Sequence, residues 1–250
     1  MADGGAGGGG LAGRGRIGLN GFRLKLIAIA TMLIDHIGAG LYPSVLWLRV
    51  VGRIAFPVFA FFIAEGYFHT RNVKRYAVRL GVFAIVSELP FNLLHGGNLF
   101  DPGAQNIFFT LFIGLATLYG LDKIKNAGAS GKHGAYAPLI KRLSVILAGM
   151  AAAELLRADY GMFGVALIVI FYLFRDNRAF SMQMLVAANV FYGLVNMLQS
   201  YAPLQAFAGF AAAPLYFYNG KKGPSMKYFF YVFYPLHISL IVAFKHFIMD

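Results

Sequence analysis

The chain has 250 residues, 59% of them apolar and 13% charged, with a mean hydropathy of +0.65. A soluble domain of this length needs far more polar surface, so composition excludes an ordinary soluble globule and points to a membrane protein. Cysteine is absent, which excludes disulfides and thiol chemistry, and the net charge of +12 is spread between apolar segments, which points to topology and lipid headgroups rather than nucleic acid.

Residues 1–22 begin MADGGAGGGGLAGRGRIGLN and are expected to be disordered. They do not read as a cleaved signal peptide, because the first apolar run starts late and lacks a small-residue cleavage site at its end. Residues 23–250 read as one integral domain. Nine apolar segments follow, at about 24–41, 45–68, 78–95, 105–121, 139–156, 162–174, 180–199, 203–218 and 228–247. A span needs about 20 residues, so the short sixth segment tilts, re-enters or merges with a neighbour. The second carries Pro57 in mid-segment, which predicts a kink. The expected fold class is an all-α polytopic transmembrane bundle of about nine spans.

The basic residues choose a side. Arg14, Arg16, Arg23 and Lys25 precede the first segment, and Arg71, Lys74, Arg75 and Arg79 follow the second. Lys123, Lys125, Lys132, Lys141 and Arg142 lie between the fourth and fifth. Arg175 and Arg178 follow the sixth, and Lys221, Lys222 and Lys227 precede the ninth. In a nine-span chain all of these share one face. Only Arg157 and Lys245 fall opposite, while Arg49 and Arg53 sit inside the second segment. The positive-inside rule then places the N-terminus in the cytoplasm and the C-terminus outside.

A charge at mid-bilayer costs about 3 kcal/mol or more, so each one needs a partner or a purpose. The segments contain Asp35, His36, Arg49, Arg53, Glu65, Glu88, Glu154 and His237. Most fall at mid-depth or in the outer half and are expected to converge on one polar cavity. Arg49 and Arg53, four apart, share a helix face. Asp35 points about 100° away from His36 on a helix, so it either orients His36 or pairs with Arg49 or Arg53. His36 reads as a general base that takes a proton from an amine or hydroxyl as it attacks a carbonyl. The plain structural alternative is an ion network that only holds helices together; this many ionisable groups at similar depth weigh against it. Glu65, in AEGYFHTRN, is as readily an interfacial carboxylate as a catalytic one. Gln105 and Asn106 offer neutral donors to a reacting carbonyl. Arg71, Lys74, Arg75 and Arg79 are either a topology signal or a site for a phosphorylated donor. His69, His95, His133 and His246 receive no role. No His and acid pair has HExxH spacing, and no metal is expected.

The stretches LKLIAIATMLIDHIGAGLYP, LRVVGRIAFPVFAFFIAEGYFHTRNVKRYAVRL, FAIVSELPFNLL, QNIFFTLFIGL and YPLHISLIVAF occur in that order. Together they resemble the TraX family over residues 24 to 247, a family associated with acetylation of conjugative pilin at its N-terminus. The first, second and ninth segments are also similar, more weakly, to the wider transmembrane acyltransferases. The resemblance implies a bacterial inner-membrane acetyltransferase that draws on acetyl-CoA. Asp35 and His36 match the family's DH pair, Arg49 and Arg53 its LR..GR step, Glu65 and Gly66 its EG step, Asn106 its QN step, and His237 the His of its last span. In the implied mechanism the donor's phosphates lie near Lys74, Arg75 and Arg79, and His36 deprotonates the acceptor. Arg53 or Asn106 steadies the oxyanion, and Asp35 or Glu88 balances charge. The acceptor stays open: a peptide N-terminus, a sugar or an envelope component. The competing class is a proton-coupled transporter, because buried Asp, Glu and His also build proton relays. One Pro-interrupted segment and no visible repeat weigh against it.

Overall fold

The computed structural model describes residues 18–128, 136–199 and 201–249. Most of the Gly-rich N-terminus and most of the AGASGKHGA linker lie outside these, and so does the disorder expected for the former. Among the described residues the chain is helical and forms no strand; Leu19 with Tyr218 and Gln105 with Ala158 make isolated bridges.

In chain order the helices are α1 (Gly21–Gly40), α2 (Leu46–Gly52), α3 (Ala55–His69), α4 (Val73–His95) and α5 (Ile107–Gly128). Then come α6 (Ala137–Leu155), α7 (Gly161–Leu173) and α8 (Arg178–Leu198). A 3₁₀ turn over Leu204–Ala211 leads into α9 (Ala212–Tyr216), and α10 (Lys227–Phe244) closes the bundle with a π turn at Lys245–Met249. Three helices begin earlier than their apolar runs because asparagines cap them. Asn20, Asn72 and Asn177 each accept, through Oδ1, the backbone N–H three residues on, at Arg23, Arg75 and Phe180.

Among the described residues five stretches are long and apolar enough to cross a membrane: Leu46–His69, Val73–His95, Ile107–Lys125, Arg178–Leu198 and Lys227–Phe247. The other expected segments differ in kind. α1 has 20 residues but carries Arg23, Lys25 and Asp35, and α6 has 19 but carries Lys141, Arg142 and Glu154. α7 is short, at 13 residues. The 203–218 segment is not one α-helix: its 3₁₀ half packs against α8 and returns the chain to Tyr218, whose carbonyl accepts from Arg178 at the start of α8. Near Pro57, where a kink is expected, the helix is interrupted just before the proline by a turn at Arg53 and Ile54 that separates α2 from α3. Proline cannot donate to the carbonyl four residues back, here that of Arg53, and its ring clashes there. Pro90 and Pro235 sit inside α4 and α10.

The core runs through Leu24, Val58, Leu115, Leu118, Val165, Leu167, Ile168 and Ile238, each with no accessible surface. Outward, α4 presents Val78, Val82, Ile85, Val86 and Leu89, with Ile85 73% exposed. An apolar stripe of this kind at helical spacing suits lipid, not water. The basic end of the bundle gathers the start of α1, the α3–α4 turn and the segment before α10, where Gly21 and Phe22 donate to the carbonyls of Lys221 and Lys222.

Candidate functional site

Away from the basic end, α1 and α2 cross with almost no space between them. A Cβ on Gly52 would lie 2.2 Å from the Asp35 Cβ, so only glycine lets the helices meet here. The crossing places Asp35 between two guanidinium groups. Arg49 Nη1 donates to Asp35 Oδ2 at 2.8 Å and to its backbone carbonyl at 3.0 Å. Arg53 Nη2 donates to Oδ1 at 2.9 Å and Oδ2 at 3.1 Å, and Arg53 Nε to the Arg49 carbonyl at 3.3 Å. Of the two partners open to Asp35, the arginines hold it.

His36, the next residue, faces α10. Its Nδ1 lies 2.7 Å from His237 Nε2, and His237 Nδ1 lies 2.6 Å from the Phe233 carbonyl. A carbonyl only accepts, so His237 carries its proton on Nδ1. Its Nε2 is then a lone pair and accepts from His36 Nδ1–H. The chain of partners leaves the lone pair of neutral His36 on Nε2, the tautomer a general base needs. His237 is a buried, tautomer-fixing neighbour.

Glu88 and Asn106 are also brought together, but with each other. Glu88 Oε1 accepts from the Asn106 backbone N–H at 2.9 Å and from its side-chain amide, which also donates to the Ala84 carbonyl at 2.7 Å. Both amide hydrogens of Asn106 are thus committed to joining α4 to the start of α5. Glu65 stands apart, toward the basic end. It accepts from the Tyr218 hydroxyl at 3.2 Å, and His69 Nδ1 lies 3.6 Å from it. Burial, and then the Glu65 carboxylate, hold the Tyr218 phenol above its ordinary value. Glu154 ends α6 and caps α7, accepting the Met162 N–H at 3.1 Å.

A cavity of about 500 Å³ opens at the basic end. Lys25, Arg71, Arg79, Lys222 and Lys227 line it, with Glu65 and His69; its walls include Phe59, Phe62 and Phe230, and Phe108 and Tyr234 also line it. Lys25 Nζ sits over the rings of Phe62 (4.7 Å) and Phe230 (5.6 Å). Of the cations expected to face a donor, Arg79 lines the cavity, whereas Lys74 and Arg75 are exposed and outside its lining. Lys74 lies about 140° around α4 from Arg79, whereas Arg75 shares the face of Arg79 but sits one turn nearer the exposed start of the helix.

The sequence reading missed several groups. Tyr234, 3% exposed, packs edge-on to His36 at 5.7 Å between ring centroids. Its signal was present, since it precedes His237 by three residues and so shares its helix face. Lys25, Lys222 and Lys227 were absorbed into the topology signal. Asp159 and Tyr160 had no signal at all, because they lie in the α6–α7 turn. That turn is tightly shaped: Arg157, Tyr160 and Gly161 all have positive φ, of 52°, 64° and 44°. Its backbone pairs with Gln105, and Thr110 donates to the Asp159 carbonyl. Burial pushes the Asp159 carboxyl up to about 6; Arg53 and His95 oppose the rise, and Asp35 adds to it.

Known proteins bear on this arrangement as follows. A family model described as "TraX protein" matches residues 21–244. A probable fimbrial assembly protein FimC of Dichelobacter nodosus, serogroup H1, is 30% identical over 257 residues, covering 93% of this chain and 98% of the relative. An uncharacterized protein of Rickettsia prowazekii (strain Madrid E) is 30% identical over 96 residues, 38% of this chain and 35% of the relative. No solved structure matches the chain. The bundle, with its Asp35-His36 pair and its closing α10, lies within the matched stretch, and the chain belongs to the TraX family.

Proposed function

We propose that this chain is a membrane-embedded acetyltransferase. It takes the acetyl group of acetyl-CoA at the basic mouth and passes it to an amine or hydroxyl at His36. The observation that carries this reading is one continuous arrangement. A cavity rimmed by cations runs between aromatic walls to Tyr234, whose ring lies against His36, whose Nε2 is a lone pair. No ion pair neutralises Lys25, Arg71, Arg79, Lys222 or Lys227 among the described residues, a donor set that suits phosphates. The neutral arm that carries the thioester suits the aromatic walls. Acetyl-CoA is cytoplasmic, so this reading puts the basic end inside, in keeping with nine passes of a bacterial inner-membrane protein and an N-terminus in the cytoplasm. The relative named as a fimbrial assembly protein makes a pilus-subunit N-terminus the first acceptor to try.

His36 Nε2 takes the acceptor's proton as the acceptor attacks the thioester carbonyl carbon. The carbon–sulfur bond then breaks, and the leaving thiolate receives that proton. The test is purified protein in nanodiscs with acetyl-CoA and a peptide bearing a free N-terminal amine. The readouts are released thiol and the mass of one acetyl group on the peptide. Wild type transfers, and His36→Ala loses about 10²–10⁴-fold in kcat while melting at the same temperature. Undiminished transfer by His36→Ala sinks the assignment, and no thiol release by wild type sinks the acetyltransferase reading in favour of the proton-coupled carrier.

A further inference from the structure

The cavity ends on a phenol that the mechanism above leaves unused. Tyr234 lies on α10 one turn before His237, with its ring edge against both His36 (5.7 Å) and Phe108 (5.3 Å). Tyr234 and Ile107, the first residue of α5, both line the cavity. A phenol is a donor as well as an acceptor, so its O–H can be given to a substrate oxygen there.

Two other candidates for an oxyanion donor are wholly or partly committed elsewhere, and neither lines the cavity. Asn106 commits both amide hydrogens to Ala84 and Glu88. Arg53 commits Nε and Nη2 to Arg49 and Asp35. Tyr234 lines the cavity and touches His36 as well. Resting on the acetyl-transfer reading, we infer that Tyr234 donates the hydrogen bond that stabilises the oxyanion formed on the thioester carbonyl. As the acceptor's heteroatom bonds to the carbonyl carbon, its proton passes to His36 Nε2 and the carbonyl π pair moves onto oxygen. Tyr234 O–H holds that oxygen and keeps its own proton throughout. Collapse re-forms the carbonyl, breaks the carbon–sulfur bond, and expels the thiolate, which takes the proton from His36. The products are acetylated acceptor and CoA thiol.

The experiment uses the full chain in nanodiscs, acetyl-CoA and the N-terminal amine peptide. Tyr234→Phe keeps the ring and its packing and removes only the donor. Its expected result is a loss of about 10²–10³-fold in kcat, with KM for acetyl-CoA and thermal stabilisation by CoA, which has no thioester carbonyl, both unchanged. Should Tyr234→Phe fail to fold, 4-fluorophenylalanine at position 234, which fills the space of the hydroxyl without its proton, supplies the second reading and should show the same loss in kcat. Either variant turning over within about threefold of wild type overturns the inference, as does a rise in KM alone. The wild-type rate separates the two ideas, because absent transfer by wild type defeats the acetyltransferase reading itself.

Discussion

Asp35 accepts four hydrogen bonds from two guanidinium groups, counting its own carbonyl. A carboxylate so placed offsets two charges that would otherwise stand bare in an apolar bundle, and removing it leaves both arginines uncompensated. The knot places its neighbour: with Asp35 anchored to α2, the next side chain on α1 turns toward α10, where His237 meets it. Asp159 is the second carboxyl near these arginines, and its chemistry gives a test with a definite sign. Its carboxyl is raised to about 6 in the folded protein from 3.8. Folding therefore holds a proton that the unfolded chain releases. The stabilisation is fully present below about pH 4 and is lost as pH rises through about 6. Asp159→Asn cannot ionise, so the melting-temperature difference, variant minus wild type, should rise between pH 4 and pH 7. A difference that stays flat with pH contradicts a buried, protonatable Asp159.

At the level of elements, the asparagine caps decide where α1, α4 and α8 start, and Pro57 decides where the second span breaks. The break sets Arg53 and Ile54 in a turn between α2 and α3, and α2 with its C-cap Arg53 carries both partners of Asp35. Gly52 is the residue that permits the contact. A methyl group there would sit 2.2 Å from both Cβ and Oδ1 of Asp35, and neither the anchored carboxylate nor the backbone can yield cheaply. Gly52→Ala should destabilise the protein by about 1–3 kcal/mol and should lower acetyl transfer further, by displacing the α1 segment that carries His36. Thermal melts in detergent together with the thiol-release rate check this. A variant with wild-type values in both would mean the α1–α2 crossing is looser than the distances say.

Across the whole molecule, the cavity runs from cations at its mouth to the Tyr234 ring, and the histidine pair lies behind that ring, outside the lining. From Gly21 to His36 α1 rises about 22 Å, more than half of the roughly 30 Å hydrocarbon thickness, so the proposed reaction requires a donor whose charged headgroup and thioester are that far apart. Arg79 is the cation the cavity takes from α4, whereas Lys74 and Arg75 are exposed and outside its lining. Arg79→Ala should raise KM for acetyl-CoA by about 10–100-fold, the worth of a charge-assisted bond, while Lys74→Ala and Arg75→Ala leave it within about twofold. Equal effects from all three would indicate a diffuse surface field rather than a formed site, and repeating the measurement in higher salt would expose it.

Long apolar runs determined the helical membrane class by themselves, because about 20 residues of hydrocarbon contact leave no other backbone arrangement. The same runs marked Asp35, His36, Arg49, Arg53 and His237 as costly and therefore purposeful. Composition did not settle how many stretches stand as continuous apolar spans: among the described residues five do, while α1 and α6 carry charge, α7 is short, and residues 203–218 fold as a 3₁₀ turn and a short helix. Hydropathy sums a window and does not see whether its backbone closes an α-helix. Tertiary structure alone paired Asp35 with two arginines, spent Asn106 on Glu88, passed over Lys74 and Arg75 for the cations of three separate segments, and set Tyr234 and Asp159 beside the rest. Each of these depends on helix rotation and on residues far apart in the chain meeting in space, and a linear pattern holds neither.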